Sequence, residues 1–145
     1  MTHLLDYVKE VEFKICLGTL SMTSYSENSV YEITNLTGNF TPSISSGVIT
    51  LTPGRYMLEA YPYVNQATTT DVIKFIWQEN SSGSYVDVGI EGQVQVLGDA
   101  IGERDVALAT IDKNLNTDVK LIVKTLTSTG TPTSEGGCIV IWKEA

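Results

Sequence analysis

Apolar and polar residues alternate along this chain with a period of two, which is typical of half-buried β-strands. The segment Gly47 to Val64 shows the pattern best: Ile49 and Leu51 alternate before Pro53-Gly54, and a longer aromatic stretch follows. Proline fixes φ and glycine reaches positive φ, so Pro53-Gly54 predicts a tight turn between two strands.

The strand after this turn has apolar groups on both faces, because alternate side chains of a strand point to opposite sides. One side holds Tyr56, Leu58 and Ala60. The other side, with Glu59 in its middle, holds Met57, Tyr61 and Tyr63. One face closes the domain's own core, and the other is left to meet another molecule, most simply a second copy of the chain.

Short strands are predicted along the rest of the chain, with no segment at the helical period. They cover Tyr7–Leu17, Val30–Ile33, Asp71–Gln78, Ser84–Val96, Val106–Ile111, Asp118–Leu126 and Cys138–Lys143. In the first strand, the apolar side is predicted to be Val11, Phe13, Ile15 and Leu17. Turns or loops are predicted at Thr37–Asn39, Asn80–Gly83 and Leu97–Asp105. The fold class is therefore all-β and antiparallel, a sandwich or barrel of about eight to ten strands, with residues 1–6 as a short arm and residues 7–145 as one domain.

Length and charge narrow the functional classes. A domain of 145 residues buries enough surface to fold without disulfides or metal. The net charge of −8 opposes binding to nucleic acid or anionic lipid, which needs clustered Lys and Arg. The chain shows neither an export signal nor a continuous apolar stretch long enough for a membrane span, which predicts a soluble protein.

The two cysteines, Cys16 and Cys138, lie near opposite ends of the chain within apolar strand patterns. We interpret them as buried free thiols that act as small hydrophobes. The alternative is a single disulfide bond that joins the first strand to the last.

Parts for catalysis are missing from the sequence, which indicates a non-enzymatic protein without a cofactor. His3 is the only histidine and lies on the arm, and no loop matches the phosphate-binding pattern. The acidic loop offers Asp99, Glu103 and Asp105, but calcium takes about 6–8 oxygen ligands, so a solvated loop is favoured and no metal is predicted.

Aromatic residues allow a second interpretation. Tyrosines that could stack on sugar rings in a receptor-binding tip are Tyr56, Tyr61, Tyr63 and Tyr85, although packing is the simpler role. Trp77 and Trp142 alternate with apolar neighbours and are predicted to lie in the core.

The order of several motifs resembles the globular head of complement component q and its relatives. Thr37–Pro42 followed by Gly54–Leu58 is similar to the family's G-x-F-T-x-P stretch and G-x-Y-x-F strand. Asp118–Leu121 and Gly137–Trp142 are similar to two of its later strands. Eight extra residues (43–50) and two substitutions, Leu58 for Phe and Thr117 for Gly, depart from the family pattern.

The resemblance implies a jelly roll of the tumour necrosis factor type, assembled as a tight trimer through the sheet that holds the first and last strands. It implies that Cys16 and Cys138 lie on adjacent strands. Because the strand Tyr56 to Val64 is apolar on both faces, we predict that Met57, Tyr61 and Tyr63 lie at or near the threefold axis of such a trimer. The chain also resembles jelly-roll domains of bacteriophage fibres and capsid decorations.

Three functions follow as hypotheses. The first is a trimeric capsid decoration or head-fibre knob on a bacteriophage virion, made in the host cytoplasm. It would dock on the major capsid protein or another virion protein through Leu4 and Leu5 of the arm. The second is a receptor-binding tip for a host glycan or surface protein. The third, a secreted receptor ligand, is disfavoured by the missing export signal.

Overall fold

The computed structural model describes residues 12–22, 26–65, 72–97, 100–127 and 133–144. Eleven strands account for most of these residues, and no helix occurs among them. In chain order the strands are β1 (Phe13–Ser21), β2 (Glu32–Gly38), β3 (Ser43–Ser45), β4 (Val48–Leu51), β5 (Gly54–Asn65), β6 (Val72–Ser81), β7 (Ser84–Leu97), β8 (Ala100–Arg104), β9 (Ala107–Lys113), β10 (Thr117–Thr127) and β11 (Thr133–Glu144).

The strands form two facing antiparallel sheets. The front sheet has the order β2-β1-β11-β5-β9, and the back sheet has the order β3-β4-β10-β6-β7-β8. The sheets join where Ile90 of β7 pairs with Leu108 of β9. The predicted all-β antiparallel sandwich is confirmed. The structure has more strands than predicted because β3 and β8 were not expected. β3 is only three residues long, and β8 occupies the segment predicted as an acidic loop.

The core lies between the two sheets and is almost entirely apolar. Its largest fully buried side chains include Trp77, Tyr31, Phe75, Leu58 and Ile139. The indole Nε1 of Trp77 donates to the backbone oxygen of Ala107 at 3.3 Å, so the one polar atom of this side chain is satisfied inside the core. The prediction that Trp77 lies in the core is confirmed.

The two strands around Pro53-Gly54 lie in different sheets. β4 pairs with β10 in the back sheet, whereas β5 pairs with β11 and β9 in the front sheet. Leu51 and Leu58 are both buried in the common core, facing it from opposite sides. The predicted turn is therefore a crossing between sheets, at Thr52-Pro53, and Gly54 already belongs to β5.

The hairpin between β6 and β7 is confirmed. Ser81 pairs with Ser84, and Ser82 and Gly83 form the turn with φ values of 54° and 93°. Positive φ at both central residues is typical of the type I′ turn that matches strand twist. Asn80 adds a side-chain contact, since its Oδ1 accepts from the amide of Gly83 at 2.9 Å.

In β1, the side that was predicted to be buried, with Phe13, Ile15 and Leu17, faces away from the core. Cys16, Leu20 and Met22 are buried, whereas Phe13 and Leu17 are 56% and 49% exposed. The prediction of the buried side was wrong because both sides of β1 carry apolar residues. Gly18 also fits the inner side closely: a Cβ there would lie 2.8 Å from Leu36 Cδ2.

The turn predicted at Thr37–Asn39 was also wrong in its bounds. Thr37 and Gly38 are the last residues of β2 and pair with Leu17 and Cys16. Asn39 then closes the strand end, because its Oδ1 accepts from the amide of Ile15 at 2.7 Å.

Two glycines with positive φ offer a matched test of this packing. Gly89 has φ 77°, and a Cβ there would lie 1.9 Å from Leu108 O, whereas Gly83 has φ 93° with nothing within 4 Å. Gly83→Ala should cost about 1 kcal/mol of unfolding free energy from backbone strain. Gly89→Ala adds a clash with the backbone of β9 and should cost about 3 kcal/mol, measured by urea unfolding. Equal losses in the two variants would contradict the close contact between β7 and β9.

Candidate functional site

The strongest candidate site is the outer face of the front sheet, the side turned away from the core. Directly paired residues of neighbouring strands share a face, so the register defines rows across this surface. One row is Ile15, Trp142, Met57 and Thr110. The next is Leu17, Val140, Glu59 and Leu108. Cys138 and Tyr61 form a third pair.

This face is unusually apolar for a surface open to water. Met57, Tyr61 and Tyr63 are 37%, 40% and 38% exposed, and Leu108 is 38% exposed. With Phe13 and Leu17 they make up most of the large apolar side chains exposed in the described ranges. Single exposed apolar residues are ordinary, but a contiguous group of this kind marks an interaction surface.

The predicted alternation of β5 is confirmed. Tyr56, Leu58 and Ala60 are buried, and the three predicted interface residues share the outer face. Their contact with another copy stays a prediction. Sequence reasoning missed Phe13, Leu17 and Leu108 as members of this face, because only the strand order brings β1 and β9 to either side of β11 and β5. Leu4 and Leu5 lie outside the described residues.

One carboxylate stands in the middle of the apolar surface. Glu59 Oε2 accepts from the hydroxyl of Tyr61 at 2.5 Å, and its Oε1 accepts from the indole Nε1 of Trp142 at 3.2 Å. Both oxygens therefore have a donor on the same face. The hydrogen bond to Glu59, followed by desolvation and the charges of Glu59 and Cys138, raises the pKa of Tyr61.

Trp142 was predicted to lie in the core, and this was wrong. It is half-buried on the outer face, because its pairing with Met57 puts it on the same side as that residue. Ile139 and Ile141, on the same strand, point to the opposite side from Trp142, and both are fully buried.

Charged residues border this face at one end. Arg55 Nε lies 3.1 Å from Asp112 Oδ2, and its Nη1 lies 3.7 Å from Glu144 Oε2. These side chains are largely exposed, so the pairs add little to stability. Beside them, Phe13, Met57 and Trp142 line a concave surface. An apolar centre with a polar border is the usual composition of a protein interface.

The cysteines lie on adjacent strands, as the resemblance implied, with both thiols free. Cys16 pairs with Ile141 and Thr19 pairs with Cys138, so the two thiols are on opposite faces of the front sheet. Cys16 is buried, and burial raises the pKa of its thiol. Cys138 is exposed beside Tyr61, which corrects the prediction that both thiols are buried.

The four tyrosines considered for sugar stacking do not gather in one cleft. Tyr56 is in the core, Tyr61 and Tyr63 are on the outer face, and Tyr85 lies on the back sheet with Lys120 Nζ 3.8 Å from its ring centroid. The first three lie on β5, but the alternation of side chains puts Tyr56 on the opposite face from Tyr61 and Tyr63.

Metal and membrane sites are not assembled by the part of the chain that the structure describes. No group of three His, Cys, Asp or Glu side chains is close enough there to hold a metal ion. His3 and Asp99 lie outside that part, and Asp105 is exposed. None of the described residues forms a helix of the length and apolarity that would cross a membrane.

Comparison with known proteins shows the fold. No family model and no curated protein matches the chain. Among solved structures, murine APRIL has a TM-score of 0.63 at 8% identity and covers 91% of this chain and 99% of its own. The globular domain of zebrafish complement 1qA has a TM-score of 0.63 at 9% identity over 91% and 96% of the two chains. Eiger TNF from S. frugiperda has a TM-score of 0.57 at 11% identity over 92% and 93%.

These structural neighbours confirm the predicted jelly roll of the tumour necrosis factor and complement type. At such low identity the likeness concerns the fold, and the function has to be argued from the surface.

The hydrogen bond between Tyr61 and Glu59 gives a testable titration. The raised pKa of Tyr61 means that the folded state holds the phenolic proton more tightly than an ordinary tyrosine does. Its stabilising contribution is therefore present below about pH 10 and is lost as the pH rises through the raised value. We expect Glu59→Gln to lower the pKa of Tyr61, measured by NMR of the ring carbon that bears the hydroxyl.

Glu91→Gln is the matched control, because Glu91 lies on β7 and pairs with Lys74 at 3.6 Å. An unchanged Tyr61 titration in Glu59→Gln would contradict the role of this hydrogen bond.

Proposed function

We propose that this protein is a non-enzymatic structural component that assembles as a homotrimer through the outer face of its front sheet and decorates the surface of a bacteriophage virion. The observation that carries the proposal is the apolar outer face of β5 and its neighbours. A monomer would leave this face in water, and self-association removes it.

A second copy of the chain is the occupant that the surface favours. The face has an apolar centre, a charged border and one carboxylate whose oxygens already accept from Tyr61 and Trp142. The carboxylate can therefore enter an interface with its hydrogen bonds made within the chain. The family that the motifs resemble assembles through the sheet with the first and last strands, which here is the front sheet.

Placement on a virion is the further part of the proposal. It is supported by the resemblance of the I-T-L-x-P-G-x-Y segment, Ile49–Tyr56, to phage fibre and decoration domains. In this proposal Leu4 and Leu5 of the arm bury their side chains against the major capsid protein or another virion protein. Three arms on one trimer multiply a weak contact.

The trimer is tested by replacing one residue at the centre of the face. Met57→Lys puts like charges into each interface, where burial of an unpaired cation costs several kcal/mol. We expect light scattering to show a trimer for the unchanged protein at micromolar concentration and a folded monomer for Met57→Lys.

The matched control is Leu115→Lys. Leu115 is 78% exposed in the loop between β9 and β10, away from the outer face, so this variant should stay trimeric. A monomeric parent protein, or a trimeric Met57→Lys variant, would rule out this interface.

Deletion of residues 1–6 tests the docking arm. The truncated protein should remain a folded trimer and fail to attach to capsids in a sedimentation assay, because the apolar arm residues are gone. A Leu4→Ser, Leu5→Ser variant should behave in the same way, whereas Thr2→Ser should bind normally. Full occupancy by the truncated trimer would show that the arm is not the anchor. If the intact protein binds host cells strongly and does not attach to capsids, the receptor-binding tip is favoured instead.

A further inference from the structure

A second concave site lies at one end of the sandwich, apart from the outer face. We name it the Lys143 pocket; it encloses about 280 Å³. The side chains that matter for its chemistry are Phe40, Ser43, Thr50, Thr52, Asn116 and Lys143. They come from the segment before β3, from β3 and β4, from the crossing between β4 and β5, from the loop before β10 and from β11. All belong to one chain, so the pocket exists with or without a trimer.

Lys143 is held in this pocket by neutral groups. Its Nζ donates to Thr52 Oγ1 at 3.2 Å and lies 5.5 Å from the ring centroid of Tyr56 and 5.9 Å from that of Phe40. Thr52 is itself fixed, because its backbone oxygen accepts from the Tyr56 hydroxyl at 2.8 Å. The ammonium group of this half-buried side chain therefore has a defined position.

No ion pair joins Lys143 to a carboxylate among the described residues, although the chain carries a net charge of −8. By contrast, Arg55, Lys74, Lys113 and Lys124 each have an acidic partner. A cation without an ion pair gains from an anionic partner that also accepts its hydrogen bonds.

A second lysine stands beside Lys143. In the antiparallel pairing of β1 with β11, Lys14 is directly opposite Lys143, so both side chains leave the front sheet on the same face. Like charges in this position repel each other, and Lys14 also has no ion pair among the residues described. An anion bound at Lys143 would reduce this repulsion.

The rest of the lining indicates what the anion is attached to. Phe40 offers a partly exposed ring, and Ser43, Thr52 and Asn116 offer hydroxyl and amide groups. An aromatic face with several neutral hydrogen-bonding groups suits a ring that carries hydroxyls. The volume lies at the small end for ligand sites, so the ligand is small.

We propose that the Lys143 pocket binds a monosaccharide acid, with its carboxylate on the Lys143 ammonium group and its ring against Phe40. The Thr52 and Asn116 side chains would meet its hydroxyls. The site lies outside the proposed trimer surface and needs no second copy.

The probe for this site is D-glucuronic acid, titrated into the full-length protein and followed by amide NMR. Saturable shifts are expected at Thr52, Asn116 and Lys143, and D-glucose, which lacks the carboxylate, should bind at least about tenfold more weakly. Lys143→Met should weaken glucuronate binding about tenfold or more. Lys124→Met is the matched control, because Lys124 pairs with Asp87 on the back sheet, and it should bind like the parent protein.

The outcomes separate the parts of the proposal. Asn116→Ala, at an exposed loop position, should also weaken binding about threefold to tenfold, which keeps the test valid if Lys143→Met fails to fold. Absence of saturable shifts, or equal binding by Lys143→Met, overturns the site. Equal affinity for inorganic sulfate shows a simple anion site and overturns the sugar. Loss of the trimer in the scattering experiment leaves these results unaffected, since the pocket lies within one chain.

Discussion

The alternation of side chains along β5 is the constraint on which the rest of the molecule depends. β5 lies inside the front sheet with both of its edges paired, one to β11 and the other to β9, so its side chains project only from its two faces. Tyr56, Leu58 and Ala60 complete the core, and the pleat then forces Met57, Tyr61 and Tyr63 outward. The same alternation in β11 buries Ile139 and Ile141 and turns Trp142 outward. A stable core and an apolar outer face are therefore two results of one backbone geometry. The outer face can be made more polar only by replacing its outward side chains.

Local patterns predicted the parts of the fold that depend on neighbouring residues. The hairpin at Ser82-Gly83 and the two faces of β5 follow from residues close in sequence, and both are found. The orientation of β1 could not be predicted in this way, because both of its sides carry apolar groups and the choice is made by contacts such as that between Gly18 and Leu36. Pro53-Gly54 predicted a reversal, but which sheets the flanking strands join is decided by their distant partners β10 and β11.

In the candidate sites too, the features set by neighbouring residues were predicted, whereas those set by distant strands were not. Three residues of the outer face were predicted because they lie on one strand, whereas Leu17, Leu108 and Trp142 join them only through the register of four strands. Glu59 was visible in the sequence as a carboxylate among apolar groups, but its two donors were not. The sequence did not reveal the Lys143 pocket, since Phe40, Thr52, Asn116 and Lys143 are far apart along the chain. Phe40 and Thr52 lie in segments that resemble family motifs, but those motifs indicated the fold and not a site. Such sites depend on the fold, and they are found only once the strand order is known.

The position of β11 has a consequence for biosynthesis. Residues 133–144 are made after the other ten strands described, yet they lie between β1 and β5 in the front sheet. During translation β1 and β2 have no partner to join them to the rest of the sheet, while the back-sheet strands β6, β7 and β10 are already complete. Until β11 is made, one edge of β1 and one edge of β5 have no partner strand. These open edges can pair with strands of other nascent chains. In this topology, the front sheet can close only after β11 has been made.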